Sequence, residues 1–270
     1  MTGSDELLAL ALEVAREAGR GLLERRRAGE PSWSTKSTPT DVVTEADTAS
    51  EALIRRRLAA VRPDDAIVGE EGADQAGTSG VRWVVDPLDG TVNYLYGLPG
   101  WAVSIAAERD GVPLVGVVDV PTFGETFWAV AGAGAFRNGE AIHASPCTVL
   151  ERAMLGTGFG YDARRRAAQA HWVAAVLPRV RDIRRFGSAA VDLCSVGCAR
   201  LDAYAEQGLK PWDLAAGSLV ATEAGATVSG LRGRPAGEAF TLAAAGGVWQ
   251  RLHDLLAGLD ADADPFRTLS

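Results

Sequence analysis

The chain has 270 residues, 47% of them hydrophobic and 23% charged, enough for one large domain or two closely joined subdomains around a sizeable core. Its formal net charge of -8 argues against general affinity for nucleic acid or anionic membrane, both of which are held through clustered Lys and Arg. Three cysteines (Cys147, Cys194 and Cys198) make a poor disulfide framework and point to a reducing cytoplasm, and no run approaches the ~20 apolar residues of a membrane span.

The first five residues are polar and lead into an amphipathic stretch, not a signal sequence. Ser4 and Asp5 can cap a first helix, with Leu7, Leu10, Ala11, Val14, Ala18 and Leu22 at helical spacing and Arg25-Arg26-Arg27 suiting its C-terminus. Residues 29–40 are rich in Ser, Thr and Pro and read as an exposed loop; residues 47–61 read as a second helix. Short apolar runs at 66–68 and 83–85 end at Gly69-Glu70-Glu71-Gly72 and at Asp86. Further strands are expected at 102–107, 115–120 and 126–130, separated by turn residues that suit antiparallel hairpins.

Beyond residue 150 the pattern alternates. Strands are expected at 154–155, 183–186, 203–205, 226–228 and 240–244, and helices at 164–180, 189–196, 212–224 and 248–259. The fold class is therefore α/β, with an α+β N-terminal half: residues 1–148 form an antiparallel-sheet subdomain and 149–270 an α/β subdomain. Cys194 and Cys198 read as two small buried residues on one helix face. His143, His171 and His253 show no metal-ligand spacing, and no phosphate-binding G-x-x-x-x-G-K-[ST] loop exists. Gly156-Thr157-Gly158-Phe159-Gly160 lacks the full dinucleotide pattern and reads as strand-to-helix packing.

One segment carries chemistry. In Asp86-Pro87-Leu88-Asp89-Gly90-Thr91 an apolar strand delivers two carboxylates three residues apart, with Pro87 restricting the turn between them. At neutral pH two such acids need a cation between them, or one takes up a proton. Oxygen-only ligands favour Mg²⁺ or Mn²⁺ over zinc, and amides at the following helix start can meet an anion. Each acidic segment also has a structural reading: Asp89 or Asp213 as a helix N-cap, Glu70-Glu71 as a solvated turn. Together, Glu70, Asp86, Asp89 and Asp213 are four separately delivered carboxylates, enough for two or three divalent ions.

These motifs resemble the inositol monophosphatase family of magnesium-dependent, lithium-sensitive phosphatases. Asp86-Pro87-Leu88-Asp89-Gly90-Thr91 resembles its first signature, Trp212-Asp213-Leu214-Ala215-Ala216-Gly217 its second, and Gly69-Glu70-Glu71 its metal-ligand glutamate segment. The resemblance implies a layered αβαβα sandwich of the inositol monophosphatase/fructose bisphosphatase type. It implies metal ligation by Glu70, Asp86, the Leu88 carbonyl, Asp89 and Asp213, holding two or three Mg²⁺. Catalysis would use Glu70 and Thr91 to orient the attacking water, with Asp47 hydrogen-bonded to the threonine. Lys36, Gly90, Thr91, Ser188, Ala189 and Glu206 would line the substrate site, Glu206 accepting from polyol hydroxyls. Inositol monophosphate is the implied substrate, with histidinol phosphate and fructose 1,6-bisphosphate as alternatives. Pro99-Gly100-Trp101-Ala102 favours histidinol phosphate, whereas the apolar Val92 does not. Ser229-Gly230 departs from the family, which commonly has an acid there. A cytoplasmic homodimer is also implied, and a transcription-complex binding role is the reading from a different class.

Overall fold

The computed structural model describes residues 3–266. α1 (Gly3–Ala28) and α2 (Glu45–Val61) cover one face of a seven-stranded sheet. Every apolar position expected on the inner face of α1 is buried, from Leu7 to Leu22. The sheet holds β3 (Ala66–Gly69), β4 (Val81–Asp89), β5 (Ala102–Arg109), β6 (Val112–Val120), β7 (Glu125–Val130), β8 (Gly134–Arg137) and β9 (Glu140–Ile142) in that order. β3 and β4 are parallel and all later neighbours antiparallel, so the sheet runs as a meander from β4 onward.

On its other face lie α5 (Ala189–Gly197) and α6 (Pro211–Glu223), which also cover a five-stranded mixed sheet. That sheet has the order β11 (Asp182–Arg184), β10 (Met154–Thr157), β12 (Ala203–Glu206), β14 (Thr241–Ala245), β13 (Ala226–Ser229). Its outer face is closed by α4 (Ala163–Val176) and α7 (Gly246–Gly258), through Trp172, Val176, Leu252 and Leu256. Four apolar clusters therefore separate five layers, α, β, α, β, α.

Small residues set the depth of the middle layer. A Cβ on Gly116 of β6 would lie 2.8 Å from Ala216 Cα, and one on Gly217 would lie 2.9 Å from Leu193 Cβ. The backbones of β6 and α6 touch, so α6 can serve both sheets while its first turn reaches the C-terminal end of β4.

Several local expectations are corrected. The 29–40 loop contains β1 (Trp33–Thr35), which pairs antiparallel with β2 (Val42–Thr44). Polar composition concealed this hairpin, because both faces of β1 are exposed and no alternation is needed. The helix expected over 164–180 ends at Val176 and passes into a single tight turn, Leu177–Arg179, because Pro178 has no amide hydrogen to continue the ladder. Strands β8 and β9 were too short to be anticipated from periodicity. Cys194 is buried on α5, whereas Cys198 stands at its C-cap and is only half-buried.

Candidate metal and phosphate site

The three aspartates meet. One carboxylate oxygen from each of Asp86, Asp89 and Asp213 lies within 4.8 Å of the others. Asp86 and Asp89 sit where β4 slips register against β5, a bulge at which Pro87 interrupts the pairing. Asp86 is 1% exposed, and its Oδ1 accepts the Leu88 N–H at 3.0 Å. Asp89 is not a helix cap: Gly90, with φ 93°, is the N-cap of α3 (Thr91–Tyr96). Asp89 Oδ2 instead accepts from Ser188 Oγ and Ala190 N, both at 2.7 Å, which ties β4 to α5. Asp213 is likewise not the N-cap of α6. It stands in the first turn, accepting the Lys210 N–H at 2.6 Å, behind a proline at the helix start.

Burial pushes all three carboxyls up from their ordinary range, Asp86 and Asp213 well above it. The charges of Glu70, Asp89 and Asp213 push Asp86 further in the same direction, and that of Asp89 does so for Asp213. Among the described residues no Lys or Arg forms an ion pair with any of the three. Buried acids in mutual repulsion, with oxygen-only donors, fit a hard divalent cation.

Glu70 follows β3 and lies beside this group, but the Lys36 ammonium holds it at 2.8 Å and also contacts Glu71. Burial raises the Glu70 carboxyl to about 7, against the opposing pull of Lys36. Lys36 sits in the turn between β1 and β2, so the unforeseen hairpin is what presents it. Thr91 Oγ1 lies 2.8 Å from Asp47 Oδ1 and 3.0 Å from the Leu88 carbonyl. Asp47 Oδ2 is fixed by the Thr44 amide at 2.8 Å and the Thr44 hydroxyl at 2.5 Å, in a capping box that opens α2.

The acids and Lys36 share one cleft of about 660 Å³ with Gly90, Thr91, Ala189 and Glu206. Ser188 lines it too, but its hydroxyl is engaged with Asp89 and, as the N-cap of α5, accepts from Val191 N. Glu206 ends β12, accepts from the Tyr204 hydroxyl, and is raised by burial to about 7. Gly158 makes room for it, since a Cβ there would lie 1.9 Å from Glu206 Oε2. Gly158 and Gly160 line the cleft, while Gly156 of β10 and Gly160 meet helix side chains, those of Asp192 on α5 and Arg165 on α4, as strand-to-helix packing requires.

Two supporting groups went unnoticed in the sequence. Ser50 Oγ donates to the Pro87 carbonyl at 2.9 Å, and Glu51 accepts the amides of Glu71 and Gly72 at 2.7 and 2.8 Å. The signal was present: Asp47, Ser50, Glu51, Ile54 and Leu58 form one buried stripe of α2 at helical spacing, with the polar members over the site.

Comparisons with known proteins agree with the fold. A model of the inositol monophosphatase family matches residues 4–262. The chain is 46% identical over 264 residues to the inositol-1-monophosphatase of Mycobacterium leprae, covering 90% of this chain and 91% of that one. It is 42% identical to a protein of Xylella fastidiosa named Nus factor SuhB, over 84% of this chain and 82% of the other. The solved structure of inositol monophosphatase from Anabaena superposes with a TM-score of 0.85 at 33% identity, covering 98% of this chain and 99% of that one. Among the described residues no helix is long and apolar enough to cross a membrane. With the acid cluster, the layered fold and a match over nearly the whole chain in hand, this protein belongs to the inositol monophosphatase family and is a phosphatase.

Proposed function

We propose that the chain hydrolyses inositol monophosphate to inositol and phosphate with two or three Mg²⁺, Mn²⁺ being an alternative. The observation that carries this is the convergence of Asp86, Asp89 and Asp213 within 4.8 Å, in one cleft with Thr91. Asp86, Asp89, Asp213, Glu70 and the Leu88 carbonyl would hold the ions. A bound divalent cation supplies charge neutralisation at the phosphate and lowers the pKa of a water.

The chain's own residues do the rest. With Asp47 ionised, the Thr91 hydroxyl donates to it, and its lone pairs are left to accept from the attacking water. Glu70 accepts the second hydrogen of that water. The amides of Gly90 and Thr91 and the Lys36 ammonium meet the phosphate oxygens. Glu206 and the Ala189 segment face the polyol, Glu206 accepting from its hydroxyls. On this reading residues 1–148 and 149–270 are subdomains sharing one site, the second contributing Asp213 and Glu206. The names of the Mycobacterium leprae and Anabaena proteins support inositol phosphate over histidinol phosphate. A cytoplasmic homodimer is part of the same proposal.

The test is phosphate release from inositol 1-phosphate, histidinol phosphate and fructose 1,6-bisphosphate, with Mg²⁺ and with chelator. Chelator-sensitive release from the first is expected, and no such release from any of them would count against the reading. Asp89→Asn should abolish turnover and weaken Mg²⁺ binding; full activity in that variant would sink the assignment.

The relative named Nus factor SuhB favours a second reading, a transcription-complex binding role separate from catalysis. RNA polymerase retained on the immobilised protein, equally in wild type and Asp89→Asn, is the result it requires.

A further inference from the structure

One buried acid of the cleft has no part in the reaction above. Asp192 stands in the first turn of α5, three residues after Ala189 and therefore on the same face of that helix. Both residues line the cleft, as does Glu206 at the end of β12. Gly156 of β10 leaves space beside the acid, since a Cβ there would lie 3.0 Å from Asp192 Oδ1. The Asp192 carboxyl is thus set between α5 and β10, at the polyol end of the cleft.

Its surroundings leave it without a partner. Asp192 is 1% exposed, yet Oδ1 accepts no hydrogen bond and the side chain forms no ion pair among the described residues. A carboxylate near a helix start suits the helix dipole, but that attraction requires neither burial nor an orphaned oxygen. Burial pushes the carboxyl well above its usual range; the charges of Glu206 and Asp89 push it the same way, and Arg185 pulls against them. From β12 the hydroxyl of Tyr204 is the other polar group nearby, and it is committed to Glu206. A buried neutral carboxyl carries an O–H, and that donor needs an acceptor. A hydroxyl of a bound alcohol fits, because it can accept from one carboxyl while donating to another.

We propose that Asp192 is a specificity-determining residue of the cleft, donating a hydrogen bond to a hydroxyl of the leaving polyol that itself donates to Glu206. One hydroxyl then meets a donor and an acceptor. A leaving group without hydroxyls leaves both carboxyls unpaired, which is how a buried polar pair discriminates. The inference rests on the reading of the cleft as a polyol phosphate site and adds a residue that selects for the polyol.

The test compares kcat/KM for inositol 1-phosphate and for 4-nitrophenyl phosphate, which has no polyol hydroxyl, in wild type, Asp192→Ala and Asp192→Asn. In Asp192→Ala the inositol-to-nitrophenyl ratio should fall about tenfold, the worth of one buried hydrogen bond. Asp192→Asn keeps a neutral donor, so its ratio should stay within about threefold of wild type. An unchanged ratio in Asp192→Ala overturns the proposal, as does an equal loss on both substrates or the same fall in Asp192→Asn. Infrared difference spectra supply a readout without turnover. With Ca²⁺ in place of Mg²⁺, inositol 1-phosphate should shift the C=O band of a protonated carboxyl in wild type, and the shifting band should be missing from Asp192→Asn. Identical spectra of the two proteins remove Asp192 from the contact, even where Asp192→Ala does not fold. If wild type releases phosphate from neither ester but shows the shift, the phosphatase reading falls and the contact stands.

Discussion

Glu51 touches neither substrate nor any proposed metal ligand atom, yet the turn that carries Glu70 is wrapped around it. Its side chain is 2% exposed. Oε2 accepts the Glu71 amide at 2.7 Å, and Oε1 accepts the Gly72 amide at 2.8 Å and Arg55 Nε at 2.6 Å. A Cβ on Gly69 or Gly72 would lie 2.7 or 2.6 Å from Oε1, so the backbone passes against the carboxylate itself. Glu51→Gln is isosteric but has one acceptor oxygen. If that oxygen keeps Gly72 and Arg55, the new NH₂ faces the Glu71 amide, donor against donor. The substitution loses one charge-assisted hydrogen bond, strands a backbone N–H and removes the countercharge of Arg55, a combined cost of about 3 kcal/mol. Urea unfolding should show that loss. The half-saturating Mg²⁺ concentration for phosphate release should also rise several-fold, because the turn sets the position of Glu70 and Mg²⁺ tolerates little error in geometry. A variant with both the unfolding midpoint and the Mg²⁺ requirement of wild type would refute the anchoring role.

Asp119 offers a pH test away from the site. It is 7% exposed beneath α1, and burial raises its carboxyl from 3.8 to about 6 despite the Thr126 hydroxyl bond and the charges of Arg16 and Arg20. The folded state therefore holds the proton more tightly, so the destabilisation grows as pH rises through this range and is constant above it. Asp119→Asn should stabilise the protein by up to about 3 kcal/mol above pH ~6 and make no difference below pH ~4; a loss of stability at neutral pH would contradict this. Gly158→Ala puts a methyl 1.9 Å from Glu206 Oε2, a side-chain end that can shift, so the protein should fold and bind Mg²⁺ normally while KM for inositol 1-phosphate rises. An unchanged KM would detach Glu206 from the substrate. In chelator, Asp213→Asn should raise the unfolding temperature by relieving a buried acid cluster, and in excess Mg²⁺ it should lower it relative to wild type. The same order of stability in both conditions would argue against a cation at this cluster.

Much of the site was legible before the fold was. Glu70, Asp86, Asp89 and Asp213 stand at ends of elements, where strand and helix periodicity breaks and an acid has no packing reason to be. Asp47 was marked by resemblance alone; the Thr44 capping box that fixes it emerged only with the fold. The buried stripe of α2 was legible in the same sense, since helical spacing alone puts Ser50 and Glu51 on the inner face. The β1–β2 hairpin was not, because an exposed two-stranded sheet imposes no alternation on its residues.

The sequence by itself determined the main helices and the longer strands, the inner face of α1 and the identity of the acids, because periodicity and turn chemistry are local properties of the chain. Only the tertiary structure decided what those acids are for. Read alone, Asp89 and Asp213 could each have capped a helix. Gly90 and Lys210 hold those cap positions instead, and the close packing of α6 on Gly116 brings Asp213 to a strand more than a hundred residues earlier. Burial and repulsion depend on neighbours in space, and no local pattern encodes those neighbours.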